Sequence, residues 1–309
     1  METIYILATA LLLDIGFGEP ANAVHPVAWL GKLISLEMKL APAKSRAWQF
    51  AYGAVAVPVT VATATALAFW LVAYLRTLNP WLYIFAGGLL LKFTFSLRGL
   101  IQAAMKVRRP LQTNRLPEAR RSLSALVSRD TASLDEGQVV AATASSVAEN
   151  SSDSFVAPLF YFGLFGLPGA VAYRVINTFD AMIGYRGRWE YLGKFAARLD
   201  DAANLIPARL SALIMVLAAP LCRMSPGRAW RTLVRDHGKT ESPNAGWPMS
   251  ALAGALEVPL EKPGHYRLGD NLRALAPGTI DRAIILACAT AGIWSAALIT
   301  AEVVKLAIT

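Results

Sequence analysis

Residues 47–75 read AWQFAYGAVAVPVTVATATALAFWLVAYL, 29 consecutive positions without Asp, Glu, Lys or Arg, bracketed by Arg46 and Arg76. A helix needs about 20 predominantly apolar residues to cross the hydrocarbon core of a bilayer, so this stretch is long enough to span one. Two further stretches have comparable length, residues 154–173 with 20 uncharged positions and residues 283–301 with 19. A fourth, residues 77–105, is long enough but carries Lys92 and Arg98. Two shorter apolar runs, residues 3–13 before Asp14 and 210–222 between Arg209 and Arg223, predict short buried or re-entrant helices. The expected fold is therefore an all-α, polytopic integral membrane protein with about 4–6 transmembrane or re-entrant helices and with polar helical loops that form a cytoplasm-facing site.

Composition points the same way. Of 309 residues, 55% are hydrophobic and 17% charged, against about 25% charged in an ordinary soluble domain. Lys and Arg number 30 and Asp and Glu 21, a net charge of +9. A basic chain this apolar fits neither disorder nor a soluble nucleic-acid binder; a lipid bilayer is the expected partner, and no nucleic acid is. Cys222 and Cys288 sit in apolar stretches without CxxC spacing, so neither a disulfide scaffold nor a zinc site is expected. Glu2 stands where a signal peptide would carry basic residues, so the first helix is expected to stay attached.

Basic residues crowd 32–46 and 106–129, while the connection at 76–79 is short and nearly uncharged, which places the first two on the cytoplasmic side. The connections 174–209 and 223–282 are both basic, a conflict that disappears if 210–222 is a partial or re-entrant helix. Pro158 and the run Gly166-Leu167-Pro168-Gly169 mark 154–173 as a bent element. The expected organisation is one membrane catalytic domain over 1–309. Its spans lie near 47–75, 77–105, 154–173 and 283–301, its short helices near 3–16 and 206–222, and its polar site loops at 14–46, 106–153, 174–209 and 223–282.

Polar residues gather in four blocks. The first is DIGFGEP at 14–20 followed by His25-Pro26-Val27; its carboxylates and imidazole suit a cation or a substrate amine, or simply cap and solvate a loop. The second runs from Arg129-Asp130-Thr131 to Glu149-Asn150-Ser151-Ser152-Asp153. The alanine-rich stretch 136–150, with acidic residues at its start, predicts a helix with Ser146, Glu149, Asn150 and Asp153 on one face. Paired carboxylates there suit Mg²⁺, which takes one or two carboxylates and leaves its other positions to water and phosphate.

The third block holds Arg174, Asn177, Asp180 and Arg186, then Arg198, Asp200, Asp201, Asn204 and Arg209. Asn177/Asp180 and Asp201/Asn204 are i, i+3 pairs and Asp200/Asn204 an i, i+4 pair, and guanidinium groups interleaved with oxygen ligands suit Mg²⁺-phosphate. In the fourth block, His237 and SPNAGWP at 242–248, proline and glycine predict a loop, and His237 is the candidate general base. Lys92, inside an apolar stretch, is expected to face a cavity or counter-ion, or to snorkel.

These blocks in this order resemble the adenosylcobinamide-phosphate synthase family of cobalamin biosynthesis, the CbiB/CobD type. The resemblance rests on DIGFGEP…HPV, on RDT and AEN in the second block, and above all on NTFDAMIGYR at 177–186, ARLDDAANLIPAR at 197–209 and SPNAGWPMSALAGAL at 242–256. It implies a multi-pass inner (cytoplasmic) membrane ligase whose site faces the cytoplasm. The reaction would join adenosylcobyric acid to (R)-1-aminopropan-2-ol phosphate, or to aminopropanol, through an amide bond, with ATP and Mg²⁺ and with other enzymes of the pathway as partners.

Under that resemblance Glu149, Asn150, Asp153, Asn177, Asp180, Asp200, Asp201 and Asn204 form the metal set, and His237, Glu149, Asp180 and Asp201 carry the catalysis. Arg129, Arg174, Arg186, Arg198 and Arg209 would hold phosphate, and Glu19, His25, Lys92, Asp130, Ser242 and Asn244 would line the substrate. Since ATP is cytosolic, the blocks are expected to share a cytoplasm-facing cavity. The residues alone also allow a Mg²⁺-dependent prenyl- or phosphotransferase, or a membrane sensor or transporter. No GxxxxGK[ST] loop is present, so an ATP site would be built in another way.

Overall fold

The computed structural model describes residues 1–42, 45–185 and 189–308. Helices α1 (Glu2–Phe17) and α2 (Pro26–Leu40) precede the long α3 (Arg46–Leu78), then α4 (Pro80–Lys92), α5 (Leu97–Gln112), α6 (Leu116–Leu123) and α7 (Glu136–Ser151). One π-helical turn, Ser152–Val156, leads into α8 (Ala157–Ile183), followed by α9 (Glu190–Ala203), α10 (Leu205–Ala218), α11 (Pro226–Asp236) and α12 (Gly246–Leu256). A small antiparallel hairpin, β1 (Leu260–Lys262) paired with β2 (Tyr266–Leu268), comes before α13 (Pro277–Ile308).

Among the described residues, four helical stretches are long and apolar enough to cross a membrane: Arg46–Leu78, Pro80–Gln112, Glu136–Ile183 and Pro277–Ile308, with α9 and α10 a fifth if they make one broken span. Only 17% of the apolar window of α3 is buried inside the protein. Its Val55, Leu67 and Trp70 are exposed, and an outward face this apolar is at home in lipid rather than water. The protein is an all-α, multi-pass membrane protein, as its charge-free stretches predict.

Two compact units make up the chain. The first comprises Met1–Ser96, Ala157–Asn204 and Ile299–Thr309. Here α1 packs on α4, and α3 packs on α8 and α9, around Ile34, Val57, Val175, Phe179 and Leu192. The second comprises Leu97–Val156 and Leu205–Leu298. Its α7 starts on a capping box, in which Asp135 accepts from the Gln138 amide and the Gln138 side chain accepts from the Asp135 amide, so two orphan donors are satisfied at once. Every residue from Val139 to Ala148 is buried. Small side chains in that run let α5, α6 and α12 approach closely.

The polar stretches 14–46, 106–153, 174–209 and 223–282 are largely helical, since amphipathic helices such as α5, α9 and α11 carry charges along one face and need no long apolar run. The structure departs from the sequence reading in two places. The stretch 77–105 is interrupted, with α4 ending at Lys92 and α5 starting at Leu97. The SPNAGWP segment is a loop only as far as Ala245. Trp247 and Pro248 lie in the first turn of α12, where a missing N–H costs nothing because that donor has no intrahelical partner anyway.

Candidate functional site

In the first unit the third sequence block becomes a hydrogen-bonded set. Tyr173, Asn177 and Asp180 follow one another along a face of α8 at spacings of four and three, and Asp200, Asp201 and Asn204 occupy the end of α9. Asn204 Nδ2 donates to Asp200 Oδ2 at 2.9 Å, and Asn177 Nδ2 donates to Asp200 Oδ1 at 3.4 Å. The Tyr173 hydroxyl donates to Asn204 Oδ1 at 2.8 Å, which fixes which way that amide points. Asp200 and Asn204 are both buried.

Asp180 interacts electrostatically with Asp200 and Asp201. Its carboxylate folds over Gly184, where a Cβ would come within 2.0 Å of Asp180 Oδ1, so only glycine leaves room for that rotamer. Like charges brought together in a buried place call for a cation or a proton. Arg198 offers little of either, being exposed and 3.8 Å from Asp201. Among the described residues no three His, Cys, Asp or Glu side chains converge as a complete metal site. Two carboxylates flanked by two amides nevertheless match Mg²⁺ chemistry, in which few protein ligands act and phosphate and water complete the shell.

The first block forms a second cluster in the same unit. Lys92 is buried, 3.2 Å from Asp14 Oδ1 and 2.5 Å from Glu19 Oε1. Burial would raise the Glu19 pKa, but hydrogen bonds from Lys92, Ser96 and His25 together with the Lys92 charge hold it below the ordinary carboxylate value. His25 has both ring nitrogens in use. Nδ1 accepts the Val27 N–H at 3.1 Å as the N-cap of α2, so Nε2 carries the proton and donates to Glu19 Oε2 at 2.6 Å. These three predicted substrate contacts are thus one another's partners. Arg174 lies near enough to Glu19 to feel its charge, and its Nε is buried without a hydrogen-bond partner.

The second unit assembles the fourth block around an indole. The His237 ring lies 4.2 Å from the Trp247 ring, centroid to centroid, and Arg209 Cζ is 4.5 Å from the centroid of the same indole. Arg209 donates to the Leu205 carbonyl at 2.5 Å and to Asn244 Oδ1 at 3.4 Å. Ser242 Oγ accepts from the Asn244 and Ala245 amides at 3.2 and 3.3 Å, shaping the approach to α12. Burial lowers the His237 pKa, the Arg209 charge lowers it further, and Asp236 opposes both. His237 Nδ1 is buried without a hydrogen-bond partner, so a neutral imidazole there can accept a proton.

The second sequence block lies in the same unit. Glu149 and Asn150 end α7, Asn150 Nδ2 donating to the Ser146 carbonyl at 2.9 Å and Oγ at 3.1 Å. Asp153 sits in the π-helical turn that follows α7. Glu149 and Arg129 both act on Tyr266, whose hydroxyl is hydrogen-bonded with Ser145 and pushed up chiefly by burial. Asp130 accepts from the Ala132 amide at 2.9 Å in a turn. Of the expected metal set, Glu149, Asn150 and Asp153 belong to the second unit and Asn177, Asp180, Asp200, Asp201 and Asn204 to the first. Arg186 lies outside the described residues. Tyr173 and Trp247 were not among the predicted site residues; their only sequence signal is position, four residues before Asn177 and inside the SPNAGWP run.

The family model described as CobD/Cbib protein matches residues 7–287. The chain belongs to the CobD/CbiB family. It is 50% identical over 294 residues to the cobalamin biosynthesis protein CobD of Dehalococcoides mccartyi (strain CBDB1), a match covering 95% of this chain and 96% of that one. The probable cobalamin biosynthesis protein CobD of Methanothermobacter thermautotrophicus is 42% identical, with 87% and 88% covered. The cobalamin biosynthesis protein CbiB of Salmonella typhimurium is 37% identical, with 92% of each chain covered. No solved structure matches the chain. CobD/CbiB membership makes this a cobalamin-biosynthesis protein, and the family match extends over all four polar blocks.

Proposed function

We propose that this CobD/CbiB protein is an amide-forming ligase that joins the carboxyl group of adenosylcobyric acid to the amine of (R)-1-aminopropan-2-ol phosphate, or of aminopropanol, using ATP and Mg²⁺ at the cytoplasmic face of the cell membrane. The observation that carries the reading is the Asn177–Asp180–Asp200–Asn204 set, in which Asp200 is pinned by two amides and faces a second carboxylate.

A carboxylate is a poor acyl donor, and phosphorylation by ATP turns it into a good one. Mg²⁺ supplies positive charge to the phosphate oxygens when bound. Asp180 and Asp200 would hold it, with Asn177 and Asn204 orienting Asp200 and Tyr173 orienting Asn204. Arg174, with its unpartnered Nε, is the guanidinium of that unit best placed for a phosphate oxygen. The acyl C–O bond breaks and phosphate leaves as the C–N bond forms, and the amine attacks the acyl carbon only after losing a proton. His237, kept neutral by burial and by Arg209, accepts it at Nδ1. Glu149, Asp153 and Asp201 remain candidate metal carboxylates, and Arg129, Arg198 and Arg209 candidate phosphate contacts.

Mass spectrometry of the product formed by purified protein with ATP, Mg²⁺, the corrinoid acid and each amine tests the reading. An adduct heavier by the amine less water is expected with at least one of them. No adduct with either amine would overturn the assignment.

A further inference from the structure

A cavity of about 490 Å³ opens in the first unit beside the turn from α3 into α4, within the size range of ligand sites. Its walls include Ile6 of α1, Phe69 and Val72 of α3, and Phe162 and Leu167 of α8. Two features set it apart from an imperfect gap between helices.

The first is a break in its wall. Gly166 has φ 67° and ψ −158° inside α8, a conformation essentially restricted to glycine. Pro168, two residues on, has no N–H to offer the Leu164 carbonyl. Backbone acceptors freed at membrane depth need a partner from protein, water or ligand, and Gly166, Leu167 and Pro168 all line the cavity.

The second is its charged rim. Arg76 lines the cavity, and its Nη2 lies 2.9 Å from Glu2 Oε2. The Tyr83 ring supports the guanidinium at 5.8 Å. The Arg76 and Glu2 side chains stay 64% and 36% exposed. A guanidinium has five N–H donors and a carboxylate about four acceptor sites, so a single contact between them leaves both able to bind a ligand. Positive and negative charge thus stand side by side at the ends of apolar helices, over an apolar cavity. A phosphate beside Arg76, a primary ammonium beside Glu2 and a hydrocarbon chain below would complement all three.

We propose that this cavity is a specific site for a membrane phospholipid with a zwitterionic, primary-ammonium headgroup, one acyl chain of which lies between α1, α3, α4 and α8. The site is separate from the carboxylate set. Asp180 is 14 residues beyond Gly166 on α8, about 21 Å along a helix. Lipid binding can therefore be read without any ligase assay.

The test reconstitutes the full chain in vesicles of equal phosphatidylethanolamine, phosphatidylglycerol and phosphatidylcholine, re-extracts it in mild detergent and measures retained lipid by native mass spectrometry. Phosphatidylethanolamine should be retained at least about tenfold over the other two, the ratio that one charge-assisted hydrogen bond supplies. Ala73→Trp, which fills the cavity, should abolish retention, and Leu67→Trp on the exposed face of α3 should leave it unchanged. Glu2→Gln should remove the preference for ethanolamine over choline, and it decides the matter if Ala73→Trp does not fold. Equal retention of phosphatidylglycerol, or no enriched lipid at all, would overturn the proposal.

Discussion

The His237 imidazole rests on the Trp247 indole, ring centroids 4.2 Å apart, and Arg209 is held over that same indole at 4.5 Å. One aromatic ring thus keeps a fixed cation beside the candidate base. Burial and Arg209 depress the His237 pKa below its usual value near 6.5, so the imidazole is neutral at pH 7 and can take a proton. Arg209→Gln should raise that pKa and move the acid limb of the pH–rate profile upward. His237→Ala should lower turnover by about 10²–10⁴-fold, the usual contribution of a general base. An NMR titration of the His237 ring gives the same shift without turnover. A ring pKa unchanged in Arg209→Gln would show that the cation does not act on it.

The sign for stability follows from the same shift. The unfolded chain binds a proton at His237 near pH 6.5 and the folded chain only at lower pH, so this residue weakens the fold as pH drops through the unfolded value.

Asn204 ties Asp200 to Tyr173, donating to the carboxylate and accepting from the phenol. Groups that orient a metal-binding carboxylate typically contribute about 10–100-fold in metal affinity. Asn204→Ala should therefore raise the Mg²⁺ concentration needed for half-maximal ATP turnover by about that factor, and Tyr173→Phe should do so by less. Asp201→Ala with wild-type activity at limiting Mg²⁺ would remove Asp201 from the metal set.

The membrane character and the carboxylate set were legible in the sequence for one reason: both are local. A run of 29 residues without charge can be counted, and Asp200/Asn204 at i, i+4 lie on one helical face whatever surrounds them. What depends on a partner far along the chain was not legible. Tyr173 reaches Asn204 across 31 residues, and Lys92 reaches Glu19 across 73. His25 reads as a ligand by residue type, yet it is an N-cap whose second nitrogen is taken by Glu19. The start of α12 was hidden because Pro248 signals a break except in a first turn, and composition does not say where a first turn falls.

Lys92 neutralises two carboxylates in a buried place, Asp14 at 3.2 Å and Glu19 at 2.5 Å. Removing one member of such a group strands the others and typically costs about 3–5 kcal/mol. Lys92→Met should lower thermal stability in detergent accordingly, and adding Glu19→Gln should recover part of the loss, because one stranded charge is then gone. A double variant no more stable than Lys92→Met alone would show that Lys92 does not act by balancing Glu19.

Asp236, at the end of α11, is buried and accepts from Arg235 at 2.8 and 2.9 Å and from the Gly269 amide at 2.8 Å, with Lys239 Nζ 2.6 Å away. Burial alone would raise its pKa, but these donors outweigh burial and hold the carboxyl well below the usual range. The contact with Gly269 fastens the segment after β2 to the turn that carries His237. Since the folded pKa is depressed, the contribution to stability is complete above the unfolded value of about 3.9 and disappears as pH falls toward the folded one. Asp236→Asn should therefore cost about 1–3 kcal/mol at pH 7, and the gap between variant and wild type should begin to narrow as the pH falls below about 4 and close only as it approaches the folded value. Arg235 and Lys239 are half exposed, so water takes over their solvation in the variant and the loss stays within that range. Thermal melts of both proteins between pH 2 and pH 8 measure it, and a gap that did not narrow at all between pH 4 and pH 2 would mean that the carboxylate charge is not what joins α11 to Gly269.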